Sequence, residues 1–406
     1  LLASSDVCPA GVSEMLSAFY AGIRDGSMSL ISPESDPEVA EAYFRSLLPL
    51  CRRVRITRIA DLTGLDRIGL PIIQAVRPAA LSEVTSLGRG MSKASAAIGA
   101  IMESLERFYA EAIPGPRVFL STAEMLGIGA GSFDGFCLHA SRTNWRDREI
   151  AWIMGVDMAS GTPTPVPFEL VHTIYTDPPP LRDGVFLRST TGLACHRSDF
   201  GAFQHGLLEC LERDAMARAF ETHGFMDRMR LPVSELGSAV QDVLSRVAEH
   251  GISAAFWYAP SPALVPVVWC QTIEAGEGEA TLALPTEGYC AGLDLHQAAF
   301  GALLEALAAR AGAISGARDD QTRKHYARSS KTMLADARDL ILGENAPSVD
   351  FPGVLPAVAH LADLLERIIV AGLGPVLAVP IASQNDPNIH CVRTILAGMR
   401  PFAVER

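Results

Sequence analysis

The sequence predicts an α+β protein built from repeated strand–helix units, with sheets covered by helices and a cleft between the repeats. Three observations carry this. The run Glu-x-x-Glu-Arg occurs twice in one apolar frame, at residues 100–107 (Ala-Ile-Met-Glu-Ser-Leu-Glu-Arg) and 206–213 (Gly-Leu-Leu-Glu-Cys-Leu-Glu-Arg). A third, altered copy at 302–310 keeps Glu305 and Arg310 but has Ala308 at the second carboxylate position. Each copy lies in a stretch of helical spacing that follows strand-like segments, at offsets of 106 and 96 residues. Those periods are too long for a solenoid and point to triplication or duplication within one domain. Finally, 49 % apolar and 20 % charged residues are globular proportions and argue against disorder.

Residues 11–25 and 37–53 have helical apolar spacing, the second opened by Asp36-Pro37-Glu38. Arg53-Val54-Arg55-Ile56-Thr57 alternates like a strand, and 70–76 reads as another. Gly88-Arg89-Gly90 reads as a turn before a helix over 93–112. In the middle section 150–156, 164–175 and 186–193 are expected strands, with a loop forced by Pro178-Pro179-Pro180, before a helix over 198–220. Strands at 253–258 and 264–272 and a turn at 288–292 then lead to a helix over 296–314. A polar excursion spans 316–352 and a last α/β stretch 354–392. The expected organisation is a helical extension, 1–55, followed by one integrated domain, 56–406.

Charge and cysteine usage exclude several classes. With 34 Lys+Arg against 46 Asp+Glu, the net charge of −12 gives no general attraction to phosphate backbones, so nucleic acid is not the expected partner. The eight cysteines are scattered and form no Cys-x-x-Cys, which fits neither a zinc ribbon nor a disulfide framework. A reducing, cytoplasmic setting is expected. No signal peptide is apparent at the start. The apolar segment 368–382 is broken by Gly372, Gly374, Pro375 and Pro380, so no membrane span is expected.

Glutamates at i and i+3 share a helix face, with Cβ atoms roughly 5–6 Å apart. Two such pairs, Glu103/Glu106 and Glu209/Glu212, could hold Mg²⁺, a hard ion that takes carboxylate and phosphate oxygens. The plainer alternative is a pair of solvated helix faces with Glu103–Arg107 and Glu209–Arg213 ion pairs; recurrence in one frame favours the metal. Gly88-Arg89-Gly90 and Thr190-Thr191-Gly192 are weak phosphate-loop signals taken singly. His205, one turn before Glu209, could face the same cleft. The sequence contains no P-loop, no Gly-x-Ser-x-Gly and no His-Glu-x-x-His. Trp152, Trp257 and Trp269 lie in strand-like runs and read as core.

At these residues the chain resembles the YcaO family, and within it the TfuA-associated branch. The resemblance is carried by 67–78 (Arg-Ile-Gly-Leu-Pro-Ile-Ile-Gln-Ala-Val-Arg-Pro), Gly88-Arg89-Gly90, 100–111, 152–161, 166–172, 189–194, 205–215 and 314–320. It spans about residues 60–400 in family order, and it implies a single YcaO-type domain with its nucleotide cleft between repeats. It implies ATP- and Mg²⁺-dependent activation of a peptide-backbone amide. A neighbouring Cys, Ser or Thr would then give an azoline, or external sulfide a thioamide. The TfuA-associated branch implies thioamide formation on a ribosomally made precursor peptide, a TfuA-like partner and a homodimer. The end, Arg400-Pro-Phe-Ala-Val-Glu-Arg406, lacks the Pro-x-Pro-x-Pro tail common among azoline-forming members.

Residue by residue, the resemblance places Glu103, Glu106, Glu209, Glu212 and Glu305 at acidic positions of the nucleotide–metal site, the first four as metal ligands. Arg89, Arg213 and Arg310 fall at basic positions suited to phosphate. No catalytic residue is singled out. Departures are Arg89 in place of Lys, Gly99 in place of Ser, Thr190-Thr191-Gly192 in place of Ser-Asn-Gly, and Ala308 in place of Gln. Arg197 and Gly201 stand where Asn and Glu are expected, and Arg197 could add a phosphate contact or fill the space with a salt bridge. These changes leave a second reading open: a degenerate member that has lost ATP turnover and serves as a peptide-binding or scaffold subunit.

Overall fold

The computed structural model describes residues 11–25, 36–138, 144–275, 280–282, 284–316, 331–343, 358, 360–384 and 387–402. In chain order, helices α1 (Val12–Asp25) and α2 (Pro37–Arg53) precede strands β1 (Arg58–Asp61), β2 (Ile72–Val76) and β3 (Thr85–Arg89) and helix α3 (Lys93–Glu111). Strands β4 (Val118–Ser121), β5 (Ile150–Asp157), β6 (Pro163–Pro167) and β7 (Leu193–His196) lead into α4 (Asp199–Phe220). Then come α5 (Phe225–Arg228), β8 (Arg230–Leu231), α6 (Ser238–Ala248), β9 (Ile252–Tyr258), β10 (Val267–Glu274), β11 (Thr286–Ala291) and α7 (Leu295–Ser315). Helices α8 (Lys331–Leu342) and α9 (Leu361–Val370) and strands β12 (Val376–Gln384) and β13 (Ile389–Leu396) follow. Most of the expected polar excursion, the 317–320 end of one matching stretch, 354–357, Cys8 and 403–406 lie outside the described residues.

The strands form three antiparallel sheets, ordered β1-β2-β3, β4-β5-β12-β13-β7 with β6 on β5, and β11-β10-β9-β8. Each sheet ends on the strand that feeds a glutamate-bearing helix: β3 into α3, β7 into α4, β11 into α7. The three helix starts are built alike. Ser92, Ser198 and Asp294 sit in extended backbone and accept from the amides of Ser95, Gly201 and Gln297, at 3.1, 3.1 and 2.8 Å. Each cap contributes about 1 kcal/mol, and each lies eleven residues before the first glutamate of its helix. The caps therefore set one register in all three repeats.

The expected turns at 88–90 and 288–292 are instead largely strand. Gly88 and Gly288 lie where β3 and β11 cross their helices with no room for a side chain. A Cβ on Gly88 would stand 1.8 Å from the Ala96 carbonyl oxygen, and one on Gly288 2.4 Å from that of Ala302. The alternation at 53–57 is likewise not a strand. Arg55 has φ 63°, and Ile56 N–H donates to the Cys51 carbonyl at 2.9 Å, closing α2 with a Schellman turn. Val54 and Ile56 are buried by that turn, which is why their spacing mimics a strand. The strand expected over 164–175 stops at Pro167, where a 3-10 turn (Phe168–Leu170) begins. Of the strand expected over 186–193, only Leu193 belongs to β7, and Phe186 makes an isolated bridge to Cys137.

Helix α1 buries Leu16, Phe19 and Ile23 in the main core, and α2 packs Leu47, Leu50 and Cys51 against α3. Trp152, Trp257 and Trp269 are buried, and each indole N–H finds an acceptor at 2.9–3.0 Å. Trp257 and Trp269 are cross-strand partners with ring centroids 4.7 Å apart. Helix α7 is long and apolar enough to cross a membrane by length and composition, but it is mostly buried, packed on β10, β11 and β3. It is a core helix here, and it carries Glu305 and Arg310.

The glycine crossings yield a test. Gly88→Ala should lose roughly 3 kcal/mol or more in chemical denaturation, because the strand must leave the helix. Gly99→Ala, whose Cβ would meet the Gly88 Cα at 3.4 Å and the Arg89 N at 3.9 Å, should be neutral or stabilising by up to roughly 1 kcal/mol. Equal stabilities for the two variants would contradict the close crossing.

Candidate active site

The equal registers bring the glutamates together by one repeated bond. The second glutamate of a helix accepts from the backbone amide of the next repeat's edge strand. Glu106 Oε1 accepts from Cys195 N–H at 2.9 Å, and Glu212 Oε2 from Ala291 N–H at 3.3 Å. Cys195 and Ala291 are equivalent, each three residues before its helix cap. In the third repeat the glutamate is replaced by Ala308, and the equivalent strand residue of the first repeat is Arg89. Helix α7 does pack on β3, so the three repeats close into a ring. At that closure the Arg89 guanidinium donates to Glu305 Oε2 at 2.8 Å.

The first glutamates hold their own strands. Glu103 Oε2 accepts from Leu87 N–H at 3.0 Å and Oε1 from Arg107 at 2.8 Å, while Glu209 Oε2 accepts from Gly192 N–H at 3.0 Å. Arg213 lies 3.3 Å from Glu212 and 3.8 Å from Glu209. Water reaches the group, since the side chains of Glu103, Glu209 and Glu305 stay 37 %, 24 % and 27 % exposed.

Carboxylate charge dominates this cleft. Burial raises Glu106 well above the ordinary carboxylate range, and repulsion from Glu103 and Glu209 adds to it against the Cys195 amide. Burial also raises Glu103, with Arg107 opposing. Glu212 is raised by burial first, then by Glu305 and Glu209, against Arg213. Burial works against the Arg213 charge, but Glu212, Glu209 and Glu305 outweigh it and raise its pKa. His205 reaches the same cleft. It is exposed there; partial desolvation lowers its pKa, Arg89 adds to this, and Glu209 and Glu305 oppose it.

Two residues expected at the site stand elsewhere. Arg310 is spent in a buried ion-pair network, donating to Asp66 at 2.9 Å and to Glu274 at 2.8 Å. The reason is helical phase: Arg107 and Arg213 follow their first glutamate by four residues, whereas Arg310 follows Glu305 by five and so points about 100° away. Arg197 is held 3.8 Å from the Tyr43 ring centroid rather than among the glutamates. At Gly201 a Cβ would stand 1.9 Å from His196 Nδ1, so that imidazole fills space a larger residue would need. Three participants were not foreseen. The Cys195 and Ala291 amides were legible only through their offset from the caps. Cys290 lies beside Glu212, Arg89 and Glu305, its thiol pushed up by burial.

The donor set suits a hard divalent cation. Five carboxylates (Glu103, Glu106, Glu209, Glu212, Glu305) face three guanidiniums (Arg89, Arg107, Arg213), and Arg107 also serves Glu83. The acidic groups outnumber the basic ones and all of them are oxygen donors. Among the described residues no three His, Cys, Asp or Glu side chains are already gathered closely enough to hold an ion. The carboxylates are tied to amides and arginines, and a cation would have to draw them inward.

A family model described as "YcaO cyclodehydratase, ATP-ad Mg2+-binding" matches residues 87–400, a span that takes in all three glutamate helices. An uncharacterized protein in the tfuA 3′ region of Rhizobium leguminosarum bv. trifolii is 26 % identical over 394 residues, covering 93 % of this chain and 92 % of that protein. An uncharacterized protein of Methanothermobacter thermautotrophicus is 28 % identical over 365 residues, covering 87 % and 91 %. Among solved structures, YcaO from Methanopyrus kandleri bound with AMPPCP and Mg²⁺ matches with a TM-score of 0.65 at 23 % identity, covering 90 % of this chain and 95 % of that one. A heterocyclase in complex with substrate and cofactor matches at 0.68 and 16 % identity, covering 94 % and 56 %. At such identities the two structures establish the fold.

The raised carboxylates make a stability prediction. A carboxylate whose folded pKa is raised favours the fold while protonated; that contribution is full below about pH 4 and is lost as pH rises through the folded pKa. Glu106→Gln keeps an acceptor for Cys195 N–H and removes the charge. Without metal at about pH 8 it should melt roughly 2–4 °C above the wild type, and the gap should close toward about pH 4. Mg²⁺ should stabilise the wild type and erase the gap. A lower melting point for the variant at the higher pH, without metal, would contradict the repulsion.

Proposed function

The chain belongs to the YcaO cyclodehydratase family, and on that premise we propose that it uses Mg-ATP to activate a backbone amide of a ribosomally made peptide, with a thioamide as the product. The observation that carries this reading is the convergence of Glu103/Glu106 and Glu209/Glu212 from two helices, each pair anchored on strand amides, with Glu103, Glu106 and Glu212 raised in pKa. Those four glutamates would hold Mg²⁺, with Glu305 beside them. When bound, the ion supplies charge neutralisation for phosphate oxygens. Arg213, held between Glu209 and Glu212, presents a fixed cation to the phosphates. Arg89 presents a second from the opposite edge. His205, its pKa lowered, is neutral at physiological pH and can accept a proton at the mouth of the cleft. The rest of the gain is positioning, because these groups are pinned by backbone bonds before a substrate arrives.

The thioamide product and a TfuA-like partner are supported by the relative found in the tfuA 3′ region. A precursor peptide as substrate is supported by the similar fold of the heterocyclase in complex with substrate. A homodimer and a cytoplasmic setting complete the reading. A second reading, a scaffold that has lost turnover, is favoured by Ala308 and by the side chains being tied into the protein rather than gathered for an ion.

Titration with AMPPCP separates the two. The enzyme requires Mg²⁺-dependent binding that falls about tenfold or more, about 1.4 kcal/mol per factor of ten, in Glu103→Gln and in Glu209→Gln. With precursor peptide, ATP and sulfide, mass spectrometry should show oxygen exchanged for sulfur; loss of water instead would assign an azoline. Absence of nucleotide binding by the wild type, with or without peptide and the TfuA-like protein, would leave the scaffold.

A further inference from the structure

The ring of repeats has three corners, and each is the junction of one helix with the next repeat's edge strand. Two corners are alike: Glu106 on the Cys195 amide and Glu212 on the Ala291 amide. The third lacks its carboxylate. Ala308 is buried and cannot reach the strand, and the strand residue there is the only one of the three equivalents with a charged side chain. That side chain, Arg89, turns back to Glu305 at 2.8 Å, and both partners remain open to water at 33 % and 27 %. Glu305 is close enough to Glu212 to repel it, and Arg89 lies near Cys290 and His205. That corner therefore carries a tethered cation where the other two carry a second carboxylate.

We infer that Arg89 is a built-in cation that occupies the third corner and excludes a divalent ion from Glu305, confining metal to the corners built from Glu103/Glu106 and Glu209/Glu212. This rests on the reading that those glutamates hold metal. The guanidinium has a charge of one and a fixed tether, so it neutralises Glu305 without recruiting further ligands. Its remaining N–H groups stay available to a phosphate. A divalent ion at Glu305 would have to displace that pair and would meet the positive charge of Arg89 at close range.

Mn²⁺ titration followed by the paramagnetic resonance of the free ion tests this, first without nucleotide and then with AMPPCP. The proteins are the wild type, Arg89→Met and Arg89→Met/Glu305→Gln, each checked by circular dichroism and melting. Arg89→Met should bind one more Mn²⁺ per chain than the wild type, and the added Glu305→Gln should remove it. The inference is overturned by equal Mn²⁺ numbers and affinities in wild type and Arg89→Met, or by an extra ion that survives Glu305→Gln. It is also overturned if Arg89→Met does not fold while the milder Arg89→Lys folds and binds one more ion, since a retained charge should still exclude it. Failure of the functional reading appears separately, as no Mn²⁺ bound by the wild type with or without nucleotide.

Discussion

The structure depends on one bond used twice: a glutamate side chain accepting from the backbone amide of an edge strand in the next repeat. An edge strand carries unpaired N–H groups, and burying them unsatisfied is costly. Glu106 and Glu212 satisfy such groups on β7 and β11. In doing so they fasten one repeat to the next. Fold and candidate site therefore share the same atoms. The close strand–helix crossing at Gly88 holds the neighbouring Leu87 amide within reach of Glu103.

That sharing has an electrostatic consequence. The protein around these carboxylates thins their hydration and neighbouring acids repel them, so Glu103, Glu106 and Glu212 are all pushed toward their protonated forms. Arginines offset only part of this. Arg213 is held between two glutamates and Arg107 is divided between Glu103 and Glu83. The fold carries a surplus of acidic groups where a cationic ligand would bind, a common feature of sites whose function runs against their own stability.

Much of this was legible in the sequence. The repeated frame, the paired glutamates and the helices that carry them follow from local spacing, and the structure places those helices within a residue or two of the expected bounds. The misreadings share a cause. Gly88 and Gly288 read as turns because a glycine in sequence does not say whether it supplies a positive φ or a missing Cβ. Val54 and Ile56 read as a strand because a Schellman turn also buries alternate residues. Arg310 read as a phosphate ligand because a shift of one residue looks small in sequence, yet on a helix it moves a side chain to Asp66 and Glu274.

What the sequence by itself determined is the chemistry on offer: which helix faces carry carboxylates, where each helix starts, and which corner lacks its second acid. These are local properties, set by helical period and by capping within a few residues. Only the tertiary structure decided how the offer is used. The Cys195 and Ala291 amides, the Arg89–Glu305 pair and the pairing of Arg310 with Asp66 join residues roughly 80 to 240 positions apart. Such contacts follow from sheet order and edge alignment, and local periodicity carries no information about which edge a helix will meet.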